Sequence, residues 1–161
     1  MAYTRKRTAK RTRPKDRTCY ETAVYLLQFR DQSEKDLTRK LKEREHTEKE
    51  IEEAMERLRD YEYVNDEDLA DELFEAYRRR AQYGDAYIHQ KLKLKGLATE
   101  KHLQLEEEIE MAAAILQKKW GMSPKLRTDF KKSASFLLRR GFSHDAVMTV
   151  MHEMDFEEIE E

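Results

Sequence analysis

The side chains from which catalytic and metal sites are usually built are present, but not in the required spacing. The histidines are His46, His89, His102, His144 and His152, and no two lie one helical turn apart, the arrangement that sets two imidazoles side by side for a metal. Cys19 is the single cysteine, so the chain can form neither an internal disulfide nor a thiolate cluster, and a reducing, cytoplasmic setting is the simplest reading. There is no Gly-rich phosphate loop and no nucleophile motif. Acidic runs such as Glu106-Glu107-Glu108 read as a solvated helix face. The expectation is a non-enzyme with no catalytic residue, no cofactor and no metal.

The cationic side chains are a different matter. Arg78-Arg79-Arg80 closes a helical stretch, and Arg139-Arg140 closes another. Positive charge at a helix C-terminus complements the backbone dipole, so each cluster is open to two readings, a helix-end device or a partner contact. Between them, His89 and Lys93 share a face of a short helix. Ile88 and Leu92 face its core, while Tyr87 and Leu94 form a second apolar flank roughly 100° away, suited to a neighbouring unit or to a partner.

The N-terminus is an arm of a distinct kind. Arg5, Lys6, Arg7, Lys10, Arg11 and Arg13, followed by Lys15 and Arg17, stand against Asp16 alone, a net of +7 over residues 1–17. The remaining 24 basic and 33 acidic residues give −9. With no apolar residue beyond Met1, Ala2, Tyr3 and Ala9, the arm is expected to be mobile. It can neutralise phosphates, reach an acidic patch on a partner, or serve solubility. Tyr3 is its one aromatic residue, so base stacking and sequence-specific reading are not expected.

The elements that must position these residues are helices. Of 161 residues, 41% are charged and 39% apolar, with four Gly and two Pro. That is too apolar for a disordered chain, too charged for one thick core, and too poor in turn residues for an all-β fold. Amphipathic helices with narrow buried stripes satisfy all three facts. The longest strictly apolar run, Met111 to Leu116, is far too short to span a membrane, and the first residues lack the apolar core of a secretion signal.

Periodicity and caps then divide the chain. The stripe Tyr20, Ala23, Val24, Leu27 marks one helix. Ser33 caps a second, carrying Leu37 and Leu41, and Thr47 with Glu50 opens a third, carrying Ile51, Met55 and Leu58. Asn65-Asp66 opens a long helix with Leu69, Leu73 and Tyr77 on its stripe. A shorter one runs from Asp85 and stops at Gly96. Thr99 is positioned to cap the next helical stretch, one helix or two, which reaches Trp120 and ends at Gly121. Ser123-Pro124 starts another, through Phe130, Ala134 and Leu137 to Gly141. Ser143 caps the last, with Val147, Met151 and Met154 inside.

Two helical pairs repeat without a gap: Leu41 precedes Ile51 by ten positions, as Leu137 precedes Val147. A middle copy has Leu92 followed by Leu103, one residue longer, and Glu107 and Glu110 fall on the stripe of its third helix. The expectation is all-α: a basic arm at 1–18 and three tandem three-helix units at 19–64, 65–108 and 109–161, stacked as an elongated curved rod.

These residues together resemble the RecX family. The first unit reads Ala23-x-x-Leu26-Leu27-x-x-Arg30-x-x-Ser33-Glu34-x-x-Leu37-x-x-x-Leu41, similar to the family's opening pattern, and Tyr63 to Ala70 resembles its linker. Arg78, Arg79, Gly84, Ile88, Leu92, Lys95, Gly96 and Leu97 follow its central motif, and Arg139 to Ser143 with Val147 its terminal one. The similarity covers about residues 20–155. Glu45 and Glu62 stand where the family usually has Gly, which argues against left-handed helix caps there. The resemblance implies a monomeric regulator that binds the RecA–DNA filament in its groove, suppresses ATPase and strand exchange, and so acts in recombination and DNA repair. It also raises Arg78 and Arg79 as filament contacts. The competing reading is a DNA-binding helical module acting through the basic arm without RecA; a third is a helical scaffold for another partner.

Overall fold

The structure, a computed structural model, describes residues 17–154. All regular structure among the described residues is helical, in two compact units divided between Asn65 and Asp66. The arm residues Arg5, Lys6, Arg7, Lys10, Arg11 and Arg13 lie outside the described residues.

The first unit contains α1 (Cys19–Leu27), α2 (Glu34–Glu43) and α3 (Glu48–Asp60). Each starts on a hydroxyl cap. The Thr18, Ser33 and Thr47 side chains accept from the amides of Glu21, Asp36 and Glu50, and Glu21 and Glu50 return the bond to complete capping boxes. Ala23, Leu26, Leu37, Leu41, Ile51, Met55, Leu58 and Val64 form the core, with Tyr20, Val24 and Leu27 packed around it. Buried Gln32 ties the α1–α2 turn, donating to the Leu26 carbonyl at 3.0 Å and accepting from Lys40 at 2.6 Å.

Both helix ends of this unit overturn the expectation drawn from the missing glycines. Glu45 has φ 65° and Glu62 φ 56°, in the left-handed region that an L side chain adopts at a cost. The backbone explains why. The His46 amide donates to the Leu41 carbonyl and Glu45 to Lys42; Tyr63 donates to Leu58 and Glu62 to Arg59. These are Schellman closures, and Gly96 makes the same pattern through Leu97 to Leu92. Satisfying the last carbonyls outweighs the strain on a non-glycine residue.

The second unit contains α4 (Asp66–Arg80), α5 (Asp85–Leu94), α6 (Leu105–Met122), a 3₁₀ turn (Pro124–Thr128), α7 (Phe130–Arg139) and α8 (His144–Glu153). On α4 the buried stripe centres on Ala70 and Phe74, with Leu69, Leu73 and Tyr77 at its margins. One core cluster gathers Ala70, Phe74, Ile88, Leu92, Leu97 and Leu103; a second gathers Ala112, Leu116, Trp120, Leu137, Phe142, Val147, Val150 and Met151. Met111 packs against both.

Several boundaries differ from the sequence reading. No helix starts at Thr99; its hydroxyl donates to Asp71 at 2.6 Å and accepts from the Lys101 amide. Residues 97–104 run without regular structure to α6, which opens on a Gln104–Glu107 capping box. Gly121 lies inside α6 rather than ending it. Pro124 starts the 3₁₀ turn, and α7 takes its own cap from Asp129, which accepts from the Lys132 amide at 2.9 Å. Helix α6 also runs through the 108/109 join expected between units. It packs on α8 as α1 packs on α3, so its place is that of the first helix of a triplet, and the 97–104 segment stands where a third helix of the middle copy was expected.

The acidic run at 106–108 is a solvated face only in part: Glu106 is exposed and Glu107 half-buried. Glu108 is 3% exposed; one carboxylate oxygen accepts from the Asp85 amide at 2.9 Å, the other from Ser143 at 3.3 Å. A single side chain thus caps the N-terminal ends of α5 and α8, where unpaired amides and the helix dipole both favour negative charge.

Candidate functional site

The loop that follows the first arginine cluster meets the second cluster, remote in sequence, in the second unit. The Gly84 amide donates to the Arg140 carbonyl at 2.9 Å, Ala86 to Gly141 at 3.2 Å, and the Arg140 guanidinium to the Gln82 carbonyl at 3.0 Å. Backbone approaches this close because neither glycine has a Cβ: one on Gly84 would overlap the Gly141 backbone, and one on Gly141 the backbone of Tyr87. The loop after α4 is therefore fastened to the C-terminus of α7.

Aromatic rings gather at this junction. Tyr83 stacks on Tyr87 with centroids 3.8 Å apart and planes within 8°, and Tyr77 meets both edge-on. The Arg140 guanidinium lies over Tyr83 at 5.3 Å and Phe136 at 5.1 Å, and the Lys91 ammonium over Tyr87 at 5.2 Å, within range of cation–π attraction. The tyrosine group was not anticipated. Its members sit on two helices and a loop, so no single-helix periodicity marks it. Leu94, expected to share a flank with Tyr87, is instead exposed and takes no part.

The expected site residues separate into held and available groups. Arg78 is held: its Nε donates to Glu107 at 2.7 Å, Nη2 lies 2.6 Å from the same oxygen, and Nη1 lies 3.5 Å from Glu75. The Glu107 bond raises the Arg78 pKa. The Gln104 amide, and then Arg78, hold Glu107 below the usual carboxylate range; Lys101, and then Arg78, do the same for Glu75. Arg140 is held by Gln82 and the rings. Arg79, Arg80, Lys93 and Arg139 are exposed and make no ion pair among the described residues. His89 is half-buried, with Nε2 3.0 Å from the Lys101 carbonyl, and parts from Lys93, which remains in solvent.

Two further facts bear on chemistry. Cys19 is buried, and burial together with nearby Glu50 pushes its thiol up to about 11, so it carries little thiolate at neutral pH. Asp85 and His89, one turn apart on α5, converge with His102 so that one ligand atom from each lies within 4.8 Å of the others; the sequence reading compared only the histidines with one another and so missed the group. Arg79, Arg80, Lys93 and Arg139 are exposed, while Tyr77, Tyr83 and Tyr87 are half-buried.

Comparison with known proteins agrees with the helical grouping. Residues 19–58 match the family model for the first three-helix domain of RecX, and residues 106–151 that for the third. These stretches coincide with α1–α3 and α6–α8. The regulatory protein RecX of Actinobacillus pleuropneumoniae serotype 5b is 32% identical over 155 residues, covering 89% of this chain and 96% of the relative.

The chain belongs to the RecX family.

The RecX of Bacillus subtilis is 26% identical over 150 residues, and the match spans 88% of this chain but 57% of that longer relative. Among solved structures, RecX from Lactobacillus salivarius superimposes with a TM-score of 0.73 at 23% identity, over 86% of this chain and 96% of the other. A second RecX crystal structure gives 0.75 at 21% identity, over 83% and 71%. These structural likenesses establish a shared all-helical fold. Among the described residues, no helix is long and apolar enough to cross a membrane.

Proposed function

We propose that this RecX protein binds the RecA–DNA nucleoprotein filament and modulates it, mainly by inhibiting RecA ATPase and strand exchange, and thereby regulates recombination and DNA repair in the cytoplasm. The observation that carries this reading is family membership over nearly the whole chain, with both matched domains folded as helical triplets. The exposed cations Arg79, Arg80, Lys93 and Arg139 form the surface assigned to the partner. Arg and Tyr are the side chains that most often anchor protein interfaces. Arg78 and Arg140 hold that surface in shape and are assigned a positioning role. The protein acts as a monomer without a catalytic residue.

Adding the protein substoichiometrically to a RecA filament on single-stranded DNA slows ATP hydrolysis. Unchanged hydrolysis at a concentration where filament binding is observed overturns the proposal.

The net charge of +7 on residues 1–17 favours a second reading, a DNA-binding helical module working through the arm without RecA. Deleting residues 1–17 separates the two. A DNA binder loses most of its affinity for bare DNA and has no effect on RecA, whereas a filament modulator retains most of its inhibition.

A further inference from the structure

We propose that Asp85, His89 and His102 form a binding site for a divalent transition metal ion of the zinc type. The three side chains come from the first turn of α5, its second turn, and the irregular 97–104 segment. His89 Nε2 lies 3.5 Å from Asp85 Oδ2, and His102 Nδ1 lies 2.8 Å from the same oxygen. The Lys101 carbonyl lies 3.0 Å from His89 Nε2. A tetrahedral ion with ligand bonds of about 2.0–2.1 Å spaces its ligand atoms roughly 3.3 Å apart. The two separations from Asp85 bracket that value and all three ligand atoms lie within 4.8 Å of one another, so an ion is admitted once the imidazoles draw in and His89 Nε2 exchanges the Lys101 carbonyl for the metal.

The donor set is apt for such an ion. Two neutral imidazoles and one carboxylate suit a borderline ion that takes nitrogen and oxygen ligands. The second oxygen of Asp85 is occupied, accepting from the Leu103 amide at 2.7 Å, which orients the carboxylate as outer-shell bonds do at metal sites. The His89 ring rests against Phe74 and His102, with centroids at 5.9 and 4.6 Å. Lys101, the nearest flexible cation, is turned toward Glu75 at 3.1 Å. Asp85 and His89 are three-quarters buried, while His102 is 60% exposed, which leaves an entry path and room for a water as a further ligand.

Such an ion would cross-link the start of α5 to the 97–104 segment, the stretch that stands in place of a third helix in the middle copy. It would order that segment without adding residues to the core.

The test uses the full-length, tag-free protein after chelator treatment, titrated with Co2+ as a spectroscopic probe and then with Zn2+. Expected are one equivalent of Co2+ with the visible absorption of a four-coordinate site, displacement by Zn2+, and a rise in Tm with Zn2+ that a chelator reverses. His102→Ala, at a mostly exposed position, keeps the helical circular dichroism and weakens binding at least ~10-fold; His89→Ala does the same. His144→Ala and His152→Ala leave binding unchanged. The proposal is overturned if the wild type binds no Co2+ or Zn2+ at micromolar concentrations, or if binding survives His102→Ala and His89→Ala.

Discussion

Glu62 holds a backbone conformation that glycine reaches without steric cost, and so does Glu45. The strain on an L residue there is roughly 1–2 kcal/mol, partly offset because glycine leaves the unfolded chain more freedom to lose. Glu62→Gly should therefore stabilise by about 0.5–1 kcal/mol, read as a higher urea midpoint with an unchanged slope; Glu45→Gly should behave alike. Glu107 makes a pH-dependent contribution. Its carboxyl lies below the usual range in the folded protein, through the Gln104 amide first and Arg78 second. The stabilisation is complete above the unfolded-state value, about 4.3, and disappears as pH falls through the lower folded value. Glu107→Gln should lower Tm by a few degrees at neutral pH, with the gap from wild type narrowing as the pH falls below the unfolded-state value.

At the scale of elements, the features legible in the sequence were local. Ser33, Thr47 and Ser143 cap helices as expected because a hydroxyl and an amide three residues on are sufficient for the motif. Gly96 and Gly141 end helices because a positive φ suits a residue without Cβ. The features that could not be read depended on distant partners. The segment 97–104 is held by Asp71 on Thr99 and Asp85 on Leu103; the loop after α4 is joined to the end of α7 by a backbone contact between residues 84 and 141. That contact makes a sharp prediction. Gly84→Ala and Gly141→Ala should each cost about 3 kcal/mol or more, or prevent folding, because the added Cβ meets backbone that cannot yield. Gly121→Ala meets nothing within 4 Å inside a helix and should stabilise by about 0.5–1 kcal/mol. Urea denaturation of the three variants checks both signs.

For the whole molecule, the composition says more about class than about action. A high charged fraction with few glycines and prolines leads directly to helices, and the family motifs were readable because they track caps and core positions in order. The proposed binding surface was only half readable: the cationic residues could be named, but not which of them ion pairs would retain. Arg79→Ala combined with Arg80→Ala should weaken filament binding about 10-fold with little change in stability, since both are exposed. If the arm contacts phosphates, deleting residues 1–17 should flatten the salt dependence of binding by roughly 0.9 log units per log salt for each phosphate released. Equal slopes for the two proteins would assign the arm to another task.

Glu108 links two helix starts that are far apart in the chain. The Asp85 and Ser143 amides are 58 positions apart, yet each rests on an oxygen of the same carboxylate. Their protection against hydrogen–deuterium exchange is therefore tied to one side chain. In Glu108→Ala both amides should exchange faster together, while the Asp36 amide, which depends on the separate Ser33 cap, keeps its rate. A burial that looks like a local oddity of one acidic residue would then show itself as two helix starts opening in concert.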